Sequence, residues 1–237
     1  MEDDKGIELY DDGIGTVEYV EHMGSDLSIV NSARVSFGKH KEELDGKDKK
    51  LIKYLIKHRH TSTLEHCLVT FRFKVPLFIR SQHHRHRTWS YNEISRRYTE
   101  ENLQFYEPST FRTQHKSNRQ ASNVDNLDPI MGYFEDGGAN YASAVVRKHH
   151  RDSVHLYNDL MAKGVCREQA RGVLPQNLYT EYYGTVNLNN LIKFVELRTH
   201  DGAQWEIQKV ASGCLSIAEN LWPIAIQSYR EIRGLIV

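Results

Sequence analysis

The sequence predicts an α+β fold, with a central antiparallel sheet flanked by long helices, in a single domain spanning residues 1–237. Three observations predict it. Cys67, Val69, Phe71, Phe73 and Val75 alternate with Leu68, Thr70, Arg72 and Lys74, giving one apolar and one mixed face, as in a half-buried antiparallel strand. Residues 177–186 are rich in Tyr and Thr, which favours a second strand. Residues 139–163 and 203–221 space their apolar side chains helically, the latter with Trp205, Ala211, Leu215 and Ala218 on or near one face.

The remaining elements follow in order. Residues 7–38 mix short apolar pieces with glycines and read as strands and turns, with the polar and basic 31–36 either lining a site or forming a loop. The charged 39–50 is an exposed loop leading into a helix over 48–58, where Leu51, Tyr54, Leu55 and His58 recur at helical spacing. Thr61, Ser62 and Thr63 make 60–66 a loop. Pro76 stops the first strand and can open a short helix over 77–84. Leu103, Phe105 and Tyr106 suit a strand ending before Pro108. Residues 109–138, closed by Gly137 and Gly138, are polar throughout and read as a long loop. Gly164 stops the long helix, and a short one fills 165–173 before Pro175. Asn187 or Asn190 can cap a helix over 188–199, and Pro223 separates the 203–221 helix from a last one reaching about Arg233.

Composition narrows the function. Lys plus Arg and Asp plus Glu both number 31, so no general attraction to nucleic acid or an anionic membrane is expected, and any phosphate site must be local. Cys67, Cys166 and Cys214 form no metal-type pair and leave one thiol over, which suits a reducing cytoplasm. The acidic start is not a signal peptide, and no apolar run approaches membrane-spanning length.

The chemistry concentrates in residues 85–98. Arg85, Arg87, Arg96 and Arg97 offer planar forks for phosphate oxygens, and Trp89, Tyr91 and Tyr98 add flat surfaces for a base or ring cofactor. So rich a run of charged groups leaves little for a core. Ser90 and Glu93 have S-x-x-E spacing, which would also make a capping box with Arg96 and Arg97 on a solvated helix face. Elsewhere, Arg198 shares a helical stripe with Leu188, Leu191 and Phe194 or Val195, so it points inward and needs an anion or several acceptors, whether a structural carboxylate or a ligand. Arg171 lies one turn after Arg167. The histidines His58, His60, His66, His83, His84 and His86 raise a zinc reading, but their spacing fits no usual ligand set and the arginines repel a cation. A single-stranded nucleic-acid module would use the same arginines and aromatics, and zero net charge argues against it.

Arg85-His86-Arg87, seven residues, then Ser95, with Asn92-Glu93 inside the gap, resembles the signature of the flavin-dependent thymidylate synthases. Four more segments resemble that family in its order: His60-x-Ser62-x-x-Glu65-His66; Ala170-Arg171 before Leu174-Pro175; Asn187-Leu188-Asn189; and Leu197-Arg198 followed by Ala203-Gln204-x-Glu206. The resemblance implies reductive methylation of dUMP to dTMP, with methylenetetrahydrofolate giving the carbon and NADPH the hydride through FAD. It implies a homotetramer whose FAD lies between subunits, since no G-x-G-x-x-G offers a Rossmann site. By the resemblance, Gln82, Arg85, Glu93, Ser95, Arg96, Arg97, Arg171 and Arg198 hold dUMP, with Arg171 coming from a neighbouring subunit. His60, Ser62, Arg85, His86, Arg87, Glu93, Asn187, Leu188, Asn189 and Lys193 hold FAD. Arg198 is the catalytic residue, favouring the N3-deprotonated pyrimidine as a fixed cation favours any nearby anion. The chain departs from the pattern at Lys193, where Asn is usual, at Gly202, where His is, and at Arg96, where a smaller residue is. No metal is implied.

Overall fold

The computed structural model describes residues 6–95 and 103–234. Its main sheet has five strands: β1 (Ile7–Glu8), β2 (Thr16–Met23), β3 (Leu68–Pro76), β4 (Ser90–Glu93) and, late in the chain, β9 (Tyr179–Asn187). They run in the order β1-β2-β3-β9-β4, every neighbouring pair antiparallel. The β3–β9 ladder sets Phe71 opposite Gly184 and Phe73 opposite Tyr182. The alternation expected for β3 is present: Val69, Phe71, Phe73 and Val75 are buried, while Arg72 on the other face bridges Glu181 at 2.6 Å and Glu18 at 3.5 Å.

On the apolar face, α1 (Asp26–Arg34), α2 (Gly46–Lys57), α3 (Leu77–His83), α6 (Leu188–Arg198), α7 (Trp205–Leu221) and α8 (Pro223–Arg233) contribute to the core, while α4 (Ala142–Ala162) and α5 (Arg167–Ala170) pack on each other outside it. From α6 the core takes Leu188, Leu191, Phe194 and Val195, and from α7 Ile207, Val210, Ala211, Cys214 and Ala218. Asn187 caps α6 by accepting from the Asn190 N–H at 2.9 Å, and Gly164 ends α4 at φ +87°. The buried carboxylate of Asp26, at the start of α1, accepts from the N–H groups of Ile224 and Ala225, both at 3.0 Å, and so caps α8.

Several expectations are corrected. The 31–36 segment is neither loop nor strand: it is the end of α1 and a 3-10 turn, Val35–Phe37. Residues Thr61–His66 form a 3-10 helix rather than a loop, and Pro76 is the N-cap of α3 rather than its first residue. The second strand sought at 103–106 reduces to one isolated bridge, Phe105 to Leu178. The long loop at 109–138 is two hairpins, β5 (Phe111–Gln114) with β6 (Ser122–Leu127) and β7 (Ile130–Tyr133) with β8 (Ala139–Tyr141). Ser90 and Glu93 make no capping box. They lie in β4, paired with Thr185 and Tyr182 of β9. Backbone pairing with a strand distant in sequence outweighs the local capping preference there.

Candidate active site

The site begins where β3 hands the chain to α3. Pro76 removes the next ladder donor and α3 follows for under two turns, ending at His83. His83 is fully buried. Its ring stacks on Phe194 at 4.7 Å and meets Phe73 and Trp89 edge-on, while Nδ1 shares a 2.8 Å hydrogen bond with the Tyr182 hydroxyl. Burial holds its pKa well below the ordinary histidine value, so the ring is neutral. The chain then turns tightly: the Tyr91 hydroxyl donates to the main-chain carbonyls of His83 at 2.9 Å and His86 at 3.2 Å.

Trp89 is correspondingly not a stacking platform. It is 6% exposed and packs on Phe71, Phe73 and Phe194. Gly184 admits it, since a Cβ there would stand 2.9 Å from Phe73 and 3.2 Å from Trp89. Tyr91 is partly buried and stacks on His84 at 4.1 Å. The expectation that so little of this stretch enters the core is thus overturned: its first half is an aromatic and histidine plug. What the plug presents outward is Arg85, His86 and Arg87, with both arginines exposed.

Arg198 ends α6 against this turn. Its Nε donates to His86 Nε2 at 3.0 Å, and one terminal nitrogen reaches the Gln82 main-chain carbonyl at 3.5 Å. Burial, with Arg198 adding to it, pushes the His86 pKa down to about 4, so at neutral pH His86 is an uncharged acceptor with its proton on Nδ1. Among the described residues no carboxylate pairs with Arg198. A partly buried guanidinium is thereby held flat by neutral acceptors, with its charge uncompensated and terminal N–H groups left over.

Other expected residues cluster around this centre or around a second one. Glu93 follows at the end of β4, where its Oε1 accepts from Thr180 at 2.7 Å and lies 3.2 Å from Arg80 Nε. Ser95 is partly buried two residues beyond, and Arg96, Arg97 and Tyr98 lie outside the described residues. At the other end of α6, Asn189 is buried and donates to Glu65 Oε1 at 2.9 Å, tying the helix to the 3-10 segment 61–66. A cavity of about 230 Å³ is lined there by Asn189, Lys193, Thr61, Leu55, Ile192 and Tyr229 among others. His60 and Ser62 are exposed on either side of Thr61, and the His60 ring stacks on Tyr54 at 5.8 Å. Leu188 is a core residue whose N–H donates to the Cys67 carbonyl at 2.8 Å, and the Asn187 side chain is occupied as the cap. From Asn189 to Arg198 the helix rises ~14 Å, so one helix carries a part of each cluster. Arg171 joins neither: it is exposed on a 3-10 turn after α5, next to α4.

Two groups had no assigned part in the sequence reading. Arg80 shows no pattern there, because its partner Glu93 comes from another element. Glu206 is 3% exposed and accepts from Tyr106 at 3.1 Å, Arg112 at 2.7 Å and Gln204 at 2.9 Å. The signal for Glu206 was the acid in Ala203-Gln204-x-Glu206, the segment already matched. Among the described residues no three of His, Cys, Asp or Glu converge as a metal site, and no helix is long and apolar enough to cross a membrane.

Comparison with known proteins bears on the arrangement. The family model for thymidylate synthase complementing proteins matches residues 18–224. A flavin-dependent thymidylate synthase of Thermus thermophilus is 42% identical over 217 residues, covering 92% of this chain and 76% of the relative. One from Thermotoga neapolitana is 36% identical over 215 residues, covering 91% and 90%. Among solved structures, the UMP/dUMP methylase PolB from Streptomyces cacaoi, bound with 5-Br dUMP, superposes with a TM-score of 0.78 at 33% identity, covering 95% of this chain and 97% of that one.

Proposed function

The chain belongs to the thymidylate synthase complementing protein family, and from that premise we propose how its own residues serve the reaction. It is a flavin-dependent thymidylate synthase that methylates dUMP to dTMP. The finer reading takes FAD as the flavin, methylenetetrahydrofolate as carbon donor and NADPH as reductant. When bound, the flavin supplies the hydride that turns a methylene carbon into a methyl group.

The observation that carries the site assignment is the uncompensated Arg198. Fixed by His86 and the Gln82 carbonyl, it offers terminal N–H groups to an anion. In the proposed complex that anion is the pyrimidine ring deprotonated at N3, whose negative charge Arg198 stabilises. Because His86 is neutral, it orients the guanidinium without repelling it or drawing off its charge. Gln82, Arg85, Glu93, Ser95, Arg96, Arg97 and Arg171 complete the dUMP site, the arginines taking the phosphate. Arg171 is exposed at a distance in sequence and packing from the turn, which supports its coming from a neighbouring subunit of a homotetramer.

The residues present fit FAD on chemical grounds. Arg85 and Arg87 are exposed cations without a carboxylate partner among the described residues, suited to a diphosphate. The cavity at Asn189 and Lys193, flanked by His60 and Ser62, adds polar groups around an apolar floor. Arg85 and Glu93 serve both ligands where the two stack together, His86 serves FAD, and Asn187 and Leu188 complete its side of the site. The cytoplasm, where reduced thiols persist, is the proposed location.

Visible absorption of the purified protein tests the reading. Flavin bands that shift on adding dUMP, with dTMP formed once folate donor and NADPH are supplied, are the expected outcome. A protein that ignores added FAD and dUMP in titration refutes the site.

A further inference from the structure

We propose that Glu206 is a positioning residue for the nucleotide, acting through Gln204 to turn the Gln82 amide so that its carbonyl oxygen faces the ligand. This rests on the reading that Gln82 touches dUMP.

The argument is one of hydrogen-bond polarity. A carboxylate can only accept. The Glu206 carboxylate is buried at the start of α7, with the Arg112 guanidinium 2.7 Å away. Tyr106 and Arg112 donate to one of its oxygens and Gln204 to the other, at 2.9 Å. The Gln204 amide must therefore point its nitrogen at Glu206, because the opposite orientation sets two acceptors against each other. Its oxygen then faces Gln82 and accepts from the Gln82 amide nitrogen. The Gln82 nitrogen is thereby committed, and the Gln82 Oε1 is left as a free acceptor. Among the described residues none donates to that oxygen. The main-chain carbonyl of the same residue already accepts from Arg198, which puts this glutamine beside the proposed pyrimidine anchor. A buried anion three residues removed from the ligand thus selects which atom of Gln82 the ligand meets: an acceptor, suited to an N–H or O–H donor of the nucleotide.

The second anchor of the relay lies outside the matched motifs. Arg112 sits on β5, in the first hairpin, and its guanidinium also lies over the Trp205 ring, 5.1 Å from the centroid. The hairpin therefore contributes the charge that keeps the relay polarised.

A double-mutant cycle on the full holoenzyme tests this, read as the dUMP dissociation constant from the flavin absorbance change. Glu206→Gln can present an amide nitrogen to Gln204, so the polarity is no longer imposed. It should weaken dUMP about tenfold with FAD affinity unchanged. In a Gln82→Met background the same change should weaken dUMP no further, because the group it acts through is gone. Gln204→Met cuts the relay one step nearer and should behave identically, which keeps the test open where Glu206→Gln does not fold. A loss that persists undiminished in the Gln82→Met background makes Glu206 merely structural and overturns the inference. Unchanged dUMP binding in Glu206→Gln and Gln204→Met overturns it too, with Gln82 still a ligand if Gln82→Met alone weakens dUMP. Unchanged binding in Gln82→Met removes Gln82 from the site and the inference with it, leaving the enzyme's activity untouched as a finding.

Discussion

The turn at residues 83–91 and the short helical segment at 167–173 both carry arginines that the family resemblance assigns to the nucleotide, and they are built in opposite ways. The turn is rooted in the core. His83, Trp89 and Tyr182 lock it to Phe73 and Phe194, and Arg198 is set against it by His86. The second segment packs against α4, and its Arg171 is exposed. The contrast teaches where precision is needed within one chain and where it is delegated. On the proposed reading, groups that steer the ring's charge are fixed by a packed interior, whereas a phosphate ligand is delivered by another protomer on a surface turn.

The sharpest way to break this comparison is at the rooted side. Arg198→Ala should lower turnover by about a hundredfold or more while FAD remains bound, and Arg198→Lys should restore only part of it, since a point charge lacks the planar fork. Near-normal turnover in the alanine variant would return Arg198 to a packing role. On the delegated side, Arg171→Ala should weaken dUMP about tenfold. Mixed oligomers of Arg171→Ala and Arg198→Ala protomers should recover activity that neither parent has, because some shared sites then carry both arginines. Failure of any mixture to recover would mean that each chain builds its own site.

A smaller effect sharpens the rooted side through pH. The His86 ring titrates near 4 in the fold against 6.5 in an open chain, and His83 is depressed as well. Between those values the unfolded chain binds more protons, so stability is full above about pH 6.5 and is lost as pH falls towards 4. Melting temperature followed across that window should fall less steeply in His86→Asn than in the parent. Equal slopes would show that His86 titrates freely. The smallest effect is expected at the thiols. Burial pushes Cys67 up to about 12 and raises Cys214 further, so neither supplies a thiolate. Cys166 is exposed at the head of the delegated segment. Cys166→Ser should leave turnover unchanged, and its loss in a folded, flavin-loaded protein would point to a protein nucleophile instead.

What was legible in the sequence had a period or a local chemical signature. β3 shows a period of two because one face is buried and the other ion-paired, and Asn187 and Gly164 mark helix ends by their own chemistry. Arg198 was readable as inward-pointing from the stripe it shares. The two hairpins were not, because each is a pair of strands with no core face to impose alternation: Val124, Met131 and Tyr133 are exposed. Trp89 looked like a free surface because its burial depends on Gly184, a strand-partner position far along the chain. The polarity of the Gln82 amide depends on Glu206 and Arg112, which no spacing connects.

The clasp between Asp26 and α8 has a consequence for how the molecule comes into being. The carboxylate and the N–H groups it receives are separated by 198 and 199 residues. On the ribosome α1 can coil as soon as it emerges, yet the residue at its head faces these partners only once residues 224 and 225 have been made. Closing so long a loop is slow, and the β3–β9 ladder is also a late, non-local pairing. Completion therefore waits for β9 and α8 to be made. Until α8 docks, the apolar flanks of α1, α2 and α7 stay open to holdase chaperones.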